Sequence, residues 1–197
     1  RQRRGISLFD AENLMRERNY FAAMMVNQGE ADALLTGYSR SYPSVVKPML
    51  QLIDKEPEVS LIATTNMMMT SRGPMFMSDT AINTNPTSEE LAKIAIMTAK
   101  AAKLFGVEPV IAMISFSNFG SSSNDSANKV REAVDYLHKN HPEMIIDGEV
   151  QADFALNPEM LSKKFPFSKL AGKKVNTLIF PNLESANITY KLLKELN

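Results

Sequence analysis

The segment TSEELAKIAIMTAKAAKLFGVEPVIAMI, residues 87–114, decides the fold class. Thr87 and Glu90 stand at capping-box spacing, in which each side chain satisfies a backbone donor of a helix's first turn. Leu91, Ile94, Ala95, Thr98, Ala101, Ala102 and Phe105 then recur at the helical period and mark one apolar stripe. Gly106 stops the helix, and Val110–Ile114 follows as an apolar run of strand length. A helix that feeds directly into a buried strand is the repeating unit of a parallel sheet covered by helices.

The same alternation continues on both sides. Downstream the pattern predicts a helix over Asp125–Lys139, a strand over Met144–Ile146, a helix over Pro158–Lys164, a strand over Val175–Phe180 and a helix over Ser185–Leu196. Upstream, Val59–Met69 reads as a long strand, Ser71-Arg72-Gly73-Pro74 as a turn and Met75–Ser78 as the partner strand of a hairpin. Asp10–Arg18 reads as a short helix, and Pro43–Ile53 as a helix opened by Ser41 or Tyr42 before a first-turn proline. Phe21–Val26 and Ala31–Leu35 are compact apolar runs and are expected to be buried strands. Glu56-Pro57-Glu58 is a break and a domain boundary. The expected fold is α/β, with a mostly parallel sheet flanked by helices.

Composition narrows the chemistry. The 197 residues carry 22 basic and 22 acidic side chains, so the basic excess of a general nucleic-acid binder is missing. There are no cysteines, which removes disulfides, thiolate metal sites and cysteine nucleophiles from this chain. His138 and His141 lie three apart without obvious further ligands and read as two solvated histidines at a helix end; no metal site is expected. No apolar run is long enough to span a membrane, and no signal-peptide core follows the basic start Arg1-Gln2-Arg3-Arg4, so a cytoplasmic location is the default expectation. The start without an initiator Met suggests a fragment of a longer protein. Met67, Met68, Met69, Met75 and Met77 read as adaptable core packing.

In a parallel sheet, ligands sit beyond the C-terminal strand ends. Three polar loops fall there: Ser115–Asn124, Asp147–Asp153 and Pro181–Ser185. The first, with Ser115 and Ser117, leaves a strand and enters a helix; its hydroxyls and amides suit a phosphate or carboxylate, and a plain solvated loop explains it equally well. Asp147, Glu149 and Asp153 offer carboxylates for a general base or a metal, against a favoured reading as caps and solvated acids. A fourth loop, Thr36-Gly37-Tyr38-Ser39-Arg40-Ser41-Tyr42, precedes a helix that carries Lys47, and Arg40 is a forked donor matched to phosphate oxygens.

Several of these segments resemble the phosphate acetyltransferase family. Ser78-Asp79-Thr80-Ala81-Ile82-Asn83-Thr84-Asn85-Pro86-Thr87 is similar to its D-x-A-x-N-P-x-P-T signature. Residues 106–117 are similar to G-x-E-P-x-x-A-M-L-S-F-S, and residues 145–153 to I-D-G-E-L-Q-x-D. Ala171-Gly172, Phe180-Pro181-Asn182-Leu183 and Asn187 resemble its A-G and F-P-D-L…G-N elements. The resemblance covers essentially the whole chain. It implies a two-domain architecture, related to isocitrate and isopropylmalate dehydrogenases, with coenzyme A and acetyl phosphate meeting between the domains. Residues 1–57 would be the C-terminal part of the first domain and residues 58–197 the second, with the family's C-terminal segment absent.

The resemblance also implies ligand contacts. Arg1, Gly37, Tyr38, Ser39, Arg40, Ser41, Tyr42, Lys47, Ser115, Ser117, Asn182, Ser185 and Asn187 are the residues expected to bind acetyl-CoA or phosphate. Family transferases carry S-G-A-V-H-T-T and then R-P, where this chain has Arg40 for the histidine and Lys47 for the arginine, and no N-D-L-S-R-G element is present. Those departures, with the G-Y-S-R loop, Asn118–Ser122 and Thr70–Pro74, resemble the C-terminal phosphotransacetylase-like domain of large bacterial NADP-dependent malic enzymes. The expectation is therefore an acetyl-CoA-binding regulatory and oligomerisation domain. NADP and a divalent metal would belong to an N-terminal malic-enzyme domain of the same polypeptide, and the assembly would be a homo-oligomer. Two apolar patches, Met67–Met69 and Ile188, Leu192, Leu193 and Leu196, are the expected contact surfaces, or else simply core. A working phosphate acetyltransferase is the alternative.

Overall fold

The computed structural model describes residues 5–55, 57 and 59–196. The chain divides into two compact units, Arg1–Ser60 and Leu61–Asn197. The described part of the first unit is helical: α1 (Leu8–Met15), α2 (Arg18–Asn27) and α3 (Tyr42–Leu52). Ser7 and Asp10 form a capping box on α1, and Ser41 stands at the N-cap of α3 with a proline in its first turn. The predicted strand at Phe21–Val26 is instead the body of α2. Glu17 accepts hydrogen bonds from the Asn19 and Tyr20 amides, and the run Ala22-Ala23-Met24-Met25 consists of strong helix formers. Ala31–Leu35 lies in no regular element.

The second unit holds β1 (Thr65–Thr70), β2 (Gly73–Ser78), α4 (Ser88–Leu104), β3 (Val110–Ile114), α5 (Asp125–Asn140), β4 (Ile145–Val150), α6 (Ala152–Ala155), α7 (Pro158–Lys164), β5 (Thr177–Ile179) and α8 (Leu183–Leu196). The five strands form one sheet in the order β1-β2-β5-β3-β4. Only the β1–β2 hairpin is antiparallel; β2, β5, β3 and β4 run parallel. This is the α/β sheet flanked by helices that the alternation predicts.

Strand side chains alternate between two buried faces. Ile111, Met113, Ile146 and Ile179 pack with Leu91, Ile94 and Ala95 of α4 and Val130, Val134 and Leu137 of α5. Met77, Ala112, Ile114, Val150, Leu178 and Phe180 face the other way, onto Ala155, Leu161, Leu170 and Ala186. Each fully buried Leu or Ile here contributes about 1.5–3 kcal/mol of transfer free energy. The Thr87–Glu90 capping box forms as expected, and Gly106 takes φ +70° just past α4. The apolar stripe is shifted, however: Phe105 is exposed, while Ala92 and Ala99 are buried. Met75 and Met77 are core, but Met67 and Met69 are largely exposed, as are Ile188, Leu192, Leu193 and Leu196 on α8. Among the described residues no helix is long and apolar enough to cross a membrane.

Strand boundaries differ from expectation: β2 begins at Gly73 rather than Met75, β5 keeps only Thr177–Ile179 of Val175–Phe180, and two larger differences have a clear cause. Residues 59–64 do not join β1, because Thr64 turns its amide and hydroxyl to the Asp79 carboxylate instead of a neighbouring strand. Strand β4 runs past Ile146 to Val150 and carries Asp147, Gly148 and Glu149 into the sheet. Gly148 makes that possible. It has φ +152°, and a Cβ there would lie 2.5 Å from the Met113 carbonyl oxygen and 2.8 Å from the Met113 Cβ. Gly148→Ala is therefore expected to lower stability by about 1–3 kcal/mol, the scale of an overpacked core. Urea denaturation checks this; an unchanged midpoint would show that β3 and β4 have room to separate.

Candidate functional site

The four parallel strands deliver their C-terminal ends to one edge of the sheet. Four connections leave from it: 79–87 after β2, 115–124 after β3, the step from β4 into α6 at Gln151, and Pro181–Asn182 after β5. Helix α4 departs to one face of the sheet and α8 to the other, although β2 and β5 are neighbours. That divergence opens a crevice, as at other topological switch points of α/β sheets.

Two buried carboxylates shape this edge. Asp79 accepts hydrogen bonds from the backbone amides of Thr64, Ala81, Ile82 and Asn83, and from the Thr64 hydroxyl and the Asn83 amide side chain. Burial works against its charge, but these donors prevail and hold its carboxyl below the usual aspartate value. Glu149, wholly buried, is gripped by Arg131 of α5: Nε reaches Oε2 at 3.2 Å and Nη2 reaches Oε1 at 2.9 Å. The Ser117 hydroxyl at 2.9 Å and the Gly120 amide at 2.8 Å complete its shell. Here too burial opposes ionisation, and Arg131 with the other donors overcomes it, lowering the carboxyl below the glutamate norm.

The 115–124 loop is thereby tied to the sheet, although Phe116, Gly120, Ser121, Ser123 and Asn124 are exposed. Arg131 also donates to the Ser122 carbonyl, Ser117 Oγ accepts the Ser122 amide, and Asn118 and Gln151 exchange two hydrogen bonds of 2.8 Å. Asn124 then caps α5 through the Ser126 amide. The start of α5 forms one wall of the crevice, a space of about 480 Å³ lined by Thr84, Asn85, Asp125, Ser126, Lys129, Asn182 and Glu184. Lys129 Nζ donates to Asn85 Oδ1 at 2.8 Å and to the Pro181 carbonyl at 2.9 Å, tying the β2 and β5 exits together. Burial lowers its ammonium from the ordinary lysine value.

Of the sequence-predicted ligand residues, Asn182 lines this crevice. Its side chain accepts the Ser185 amide, and Ser185 Oγ donates back to the Asn182 carbonyl, so the pair caps α8. Asn187 donates to the Thr80 carbonyl. Ser115 and Ser117 are buried; Ser115 Oγ accepts the Ser117 amide, and Ser117 Oγ contacts Ser121 Oγ and Glu149. Residues 37–42 and Lys47 belong to the first unit and are exposed. Arg1 lies outside the described residues.

Several residue readings need correction. Asp147 is neither a cap nor a solvated acid: Ser168 Oγ and the Lys169 amide each donate to it at 2.8 Å. Glu149 is the buried anchor just described, and only Asp153 is exposed. His138 is not simply solvated; its Nε2 lies 2.8 Å from the Ile146 carbonyl. No cluster of three His, Asp or Glu side chains is placed to hold a metal among the described residues. Sequence reasoning missed Lys129, Asn85 and Asp125. The available signals were their position, flanking the ends of strands that were already recognised, and for Asn85 its place in the family signature at residues 78–87.

The Glu149–Arg131 pair generates a pH prediction. The folded carboxyl titrates below its unfolded value of 4.5, so the pair's contribution is complete above that value and is lost as pH falls through the folded one. Unfolding free energies measured from about pH 7 to about pH 3 should fall less steeply in Glu149→Gln than in the parent protein. Parallel curves would show that the pair is not coupled to stability. At neutral pH, Arg131→Ala strands the buried charge and is expected to cost about 3 kcal/mol.

Comparison with known proteins agrees with this architecture. The sequence profile of the family described as phosphate acetyl/butaryl transferase matches residues 1–197. The chain is 41% identical over 207 residues to a phosphate acetyltransferase of Treponema pallidum, covering 100% of this chain and 61% of that protein. It is 38% identical to that of Clostridium acetobutylicum, covering 98% and 60%. The crystal structure of a phosphotransacetylase from Streptococcus pyogenes superposes with a TM-score of 0.86 at 40% identity, over 98% of this chain and 60% of that one. The chain thus spans about three fifths of the length of these relatives.

These matches overturn the expected malic-enzyme assignment and its NADP-dependent oxidoreductase activity, and they lend no support to the divalent metal or the fused partner domain. The relatives bear the name of a transferase. The expectation leaned on Arg40, Lys47 and a few loop positions. Arg40 and Lys47 are two exposed side chains, whereas the identity to transferases extends along the whole chain. The missing N-D-L-S-R-G element carries no weight in a chain of this coverage. By profile, by sequence and by structure, the chain belongs to the phosphate acetyl/butaryl transferase family.

Proposed function

We propose that this chain carries part of the site of a working phosphate acetyltransferase, which moves an acetyl group between the sulfur of coenzyme A and an oxygen of phosphate. The observation that carries this reading is identity of 38–41% with proteins named phosphate acetyltransferase across at least 98% of the chain. Residues 1–57 are the C-terminal part of a first α/β domain, and residues 58–197 are the second. The enzyme is cytoplasmic, and it self-associates, the latter supported by the exposed apolar face of α8.

The reaction needs two things of the protein. It must hold two anionic reactants close together, and it must stabilise charge on the carbonyl oxygen as phosphate attacks and the thiolate leaves. The strand-end crevice offers amides, hydroxyls and Lys129 for the neutral thioester end. Taken by itself, the first unit presents Arg40, Lys47 and the exposed Gly37–Tyr42 loop as donors suited to phosphate groups, with Arg1 added from the sequence resemblance. Ser115, Ser117, Ser185 and Asn187 act mainly by fixing the loops that line the site, since their side chains are already engaged within the fold or at its edge.

Release of free coenzyme A thiol from acetyl-CoA on addition of phosphate, by the full-length protein, tests the proposal. Sustained phosphate-dependent turnover is expected, and no release above the uncatalysed rate would defeat it. In the same protein, Arg40→Ala should weaken acetyl-CoA binding by roughly 1.5–3 kcal/mol, a charge-assisted hydrogen bond's worth. Calorimetric titration measures that; unchanged affinity would remove Arg40 from the site.

A further inference from the structure

Lys129 differs from the ion-paired lysines of the second unit, and from Lys174, whose Nζ also meets a neutral acceptor, the Arg72 carbonyl, but on the exposed surface. Lys93 and Lys103 face carboxylates, Glu89 at 2.6 Å and Glu108 at 3.6 Å, and the Glu89 hydrogen bond raises the Lys93 ammonium above its ordinary value. Lys129 instead meets two neutral acceptors, Asn85 Oδ1 and the Pro181 carbonyl. A neutral amine has two N–H donors and one lone pair. It can keep both hydrogen bonds unprotonated, with the lone pair directed away from them. Lys129 also lines an open crevice of about 480 Å³, large enough for a small activated acyl compound to approach.

From this geometry we propose that Lys129 is a modification site, acetylated at Nζ by the acyl phosphate that this protein handles. That the donor is at hand rests on the proposed function. In the reaction the Nζ lone pair attacks the carbonyl carbon of acetyl phosphate. The bond from that carbon to the phosphate oxygen breaks, and phosphate departs with the electron pair. The nitrogen gives up one proton, for which Asp125 and Glu184, which also line the crevice, are acceptors alongside water. No cofactor or oxidant is required. Those two carboxylates oppose tight binding of a dianion, so the chemistry proceeds by encounter rather than from a stored complex. Burial of Lys129, which lowers its ammonium, raises the reactive fraction at neutral pH.

The modification has a structural consequence. An acetylated lysine retains a single N–H and cannot donate to both Asn85 and Pro181. The tie between the exits of β2 and β5 is then halved, at the place where the crevice opens.

The test is incubation of the full-length protein with synthetic acetyl phosphate, followed by peptide mass spectrometry over time. Lys129 should be acetylated at least ~3-fold faster than Lys93, Lys103 and the exposed Lys100, and the preference should vanish in urea, where the burial that lowers its ammonium is gone. Labelling of Lys129 no faster than those three, or a preference that persists in urea, would overturn the proposal. Turnover with phosphate, measured on the same preparation, separates the two claims. Turnover without Lys129 labelling overturns this inference and leaves the function standing. Selective labelling without turnover supports the reactivity of Lys129 and removes the proposed function.

Discussion

The placement of the Glu149 carboxylate inside the sheet governs the rest of the site. A wholly buried charge is tolerated only when it is paired and hydrogen-bonded. Arg131, Ser117 and Gly120 meet that demand, and each comes from a different part of the chain than β4. Satisfying one carboxylate therefore fixes the loop after β3 and the rotation of α5. The direction of α5 in turn determines which residues face the crevice. Asp125, Ser126 and Lys129 stand there because Arg131, two residues further on, is committed to Glu149.

Asp79 plays the matching role after β2. Its donors come from Thr64 before the hairpin and from the turn at residues 81–83. The carboxylate ends β2, keeps residues 59–64 out of β1 and orients the segment that carries Thr84 and Asn85. Lys129 then links this segment to the exit of β5. Three strand ends are thus joined through buried or partly buried polar groups, while the two apolar faces of the sheet supply most of the stability. Specificity of arrangement comes from the first set and free energy of folding from the second.

The sequence is legible where local rules act alone. The capping box at Thr87–Glu90, the stop at Gly106 and the apolar strand at Val110–Ile114 are found where the pattern puts them. Reading fails where a distant partner decides. Strand β4 looks finished at Ile146 because Asp147 and Glu149 are polar, and only Ser168 and Arg131, remote in sequence, make them suitable for burial. Phe21–Val26 looks like a strand because short apolar runs have no period of their own, and Glu17 as a helix cap is an uncommon signal. Lys129 sits in a helix that reads as hydrophilic, and nothing local tells which of its polar residues turn toward a crevice. The family signature at residues 78–87 contained the missing hint, since Asn85 belongs to the same wall.

The central claim is that the strand-end loops of the second unit take part in handling acetyl-CoA. Backbone amide NMR of the isotopically labelled full-length protein, titrated with acetyl-CoA, tests it most directly. The account predicts the largest shifts at Thr84, Asn85, Ser126, Lys129 and Asn182, with little change at the opposite edge of the sheet around Val110 and Ile145. Saturable shifts that leave those five amides untouched, or no shifts at all, would contradict it.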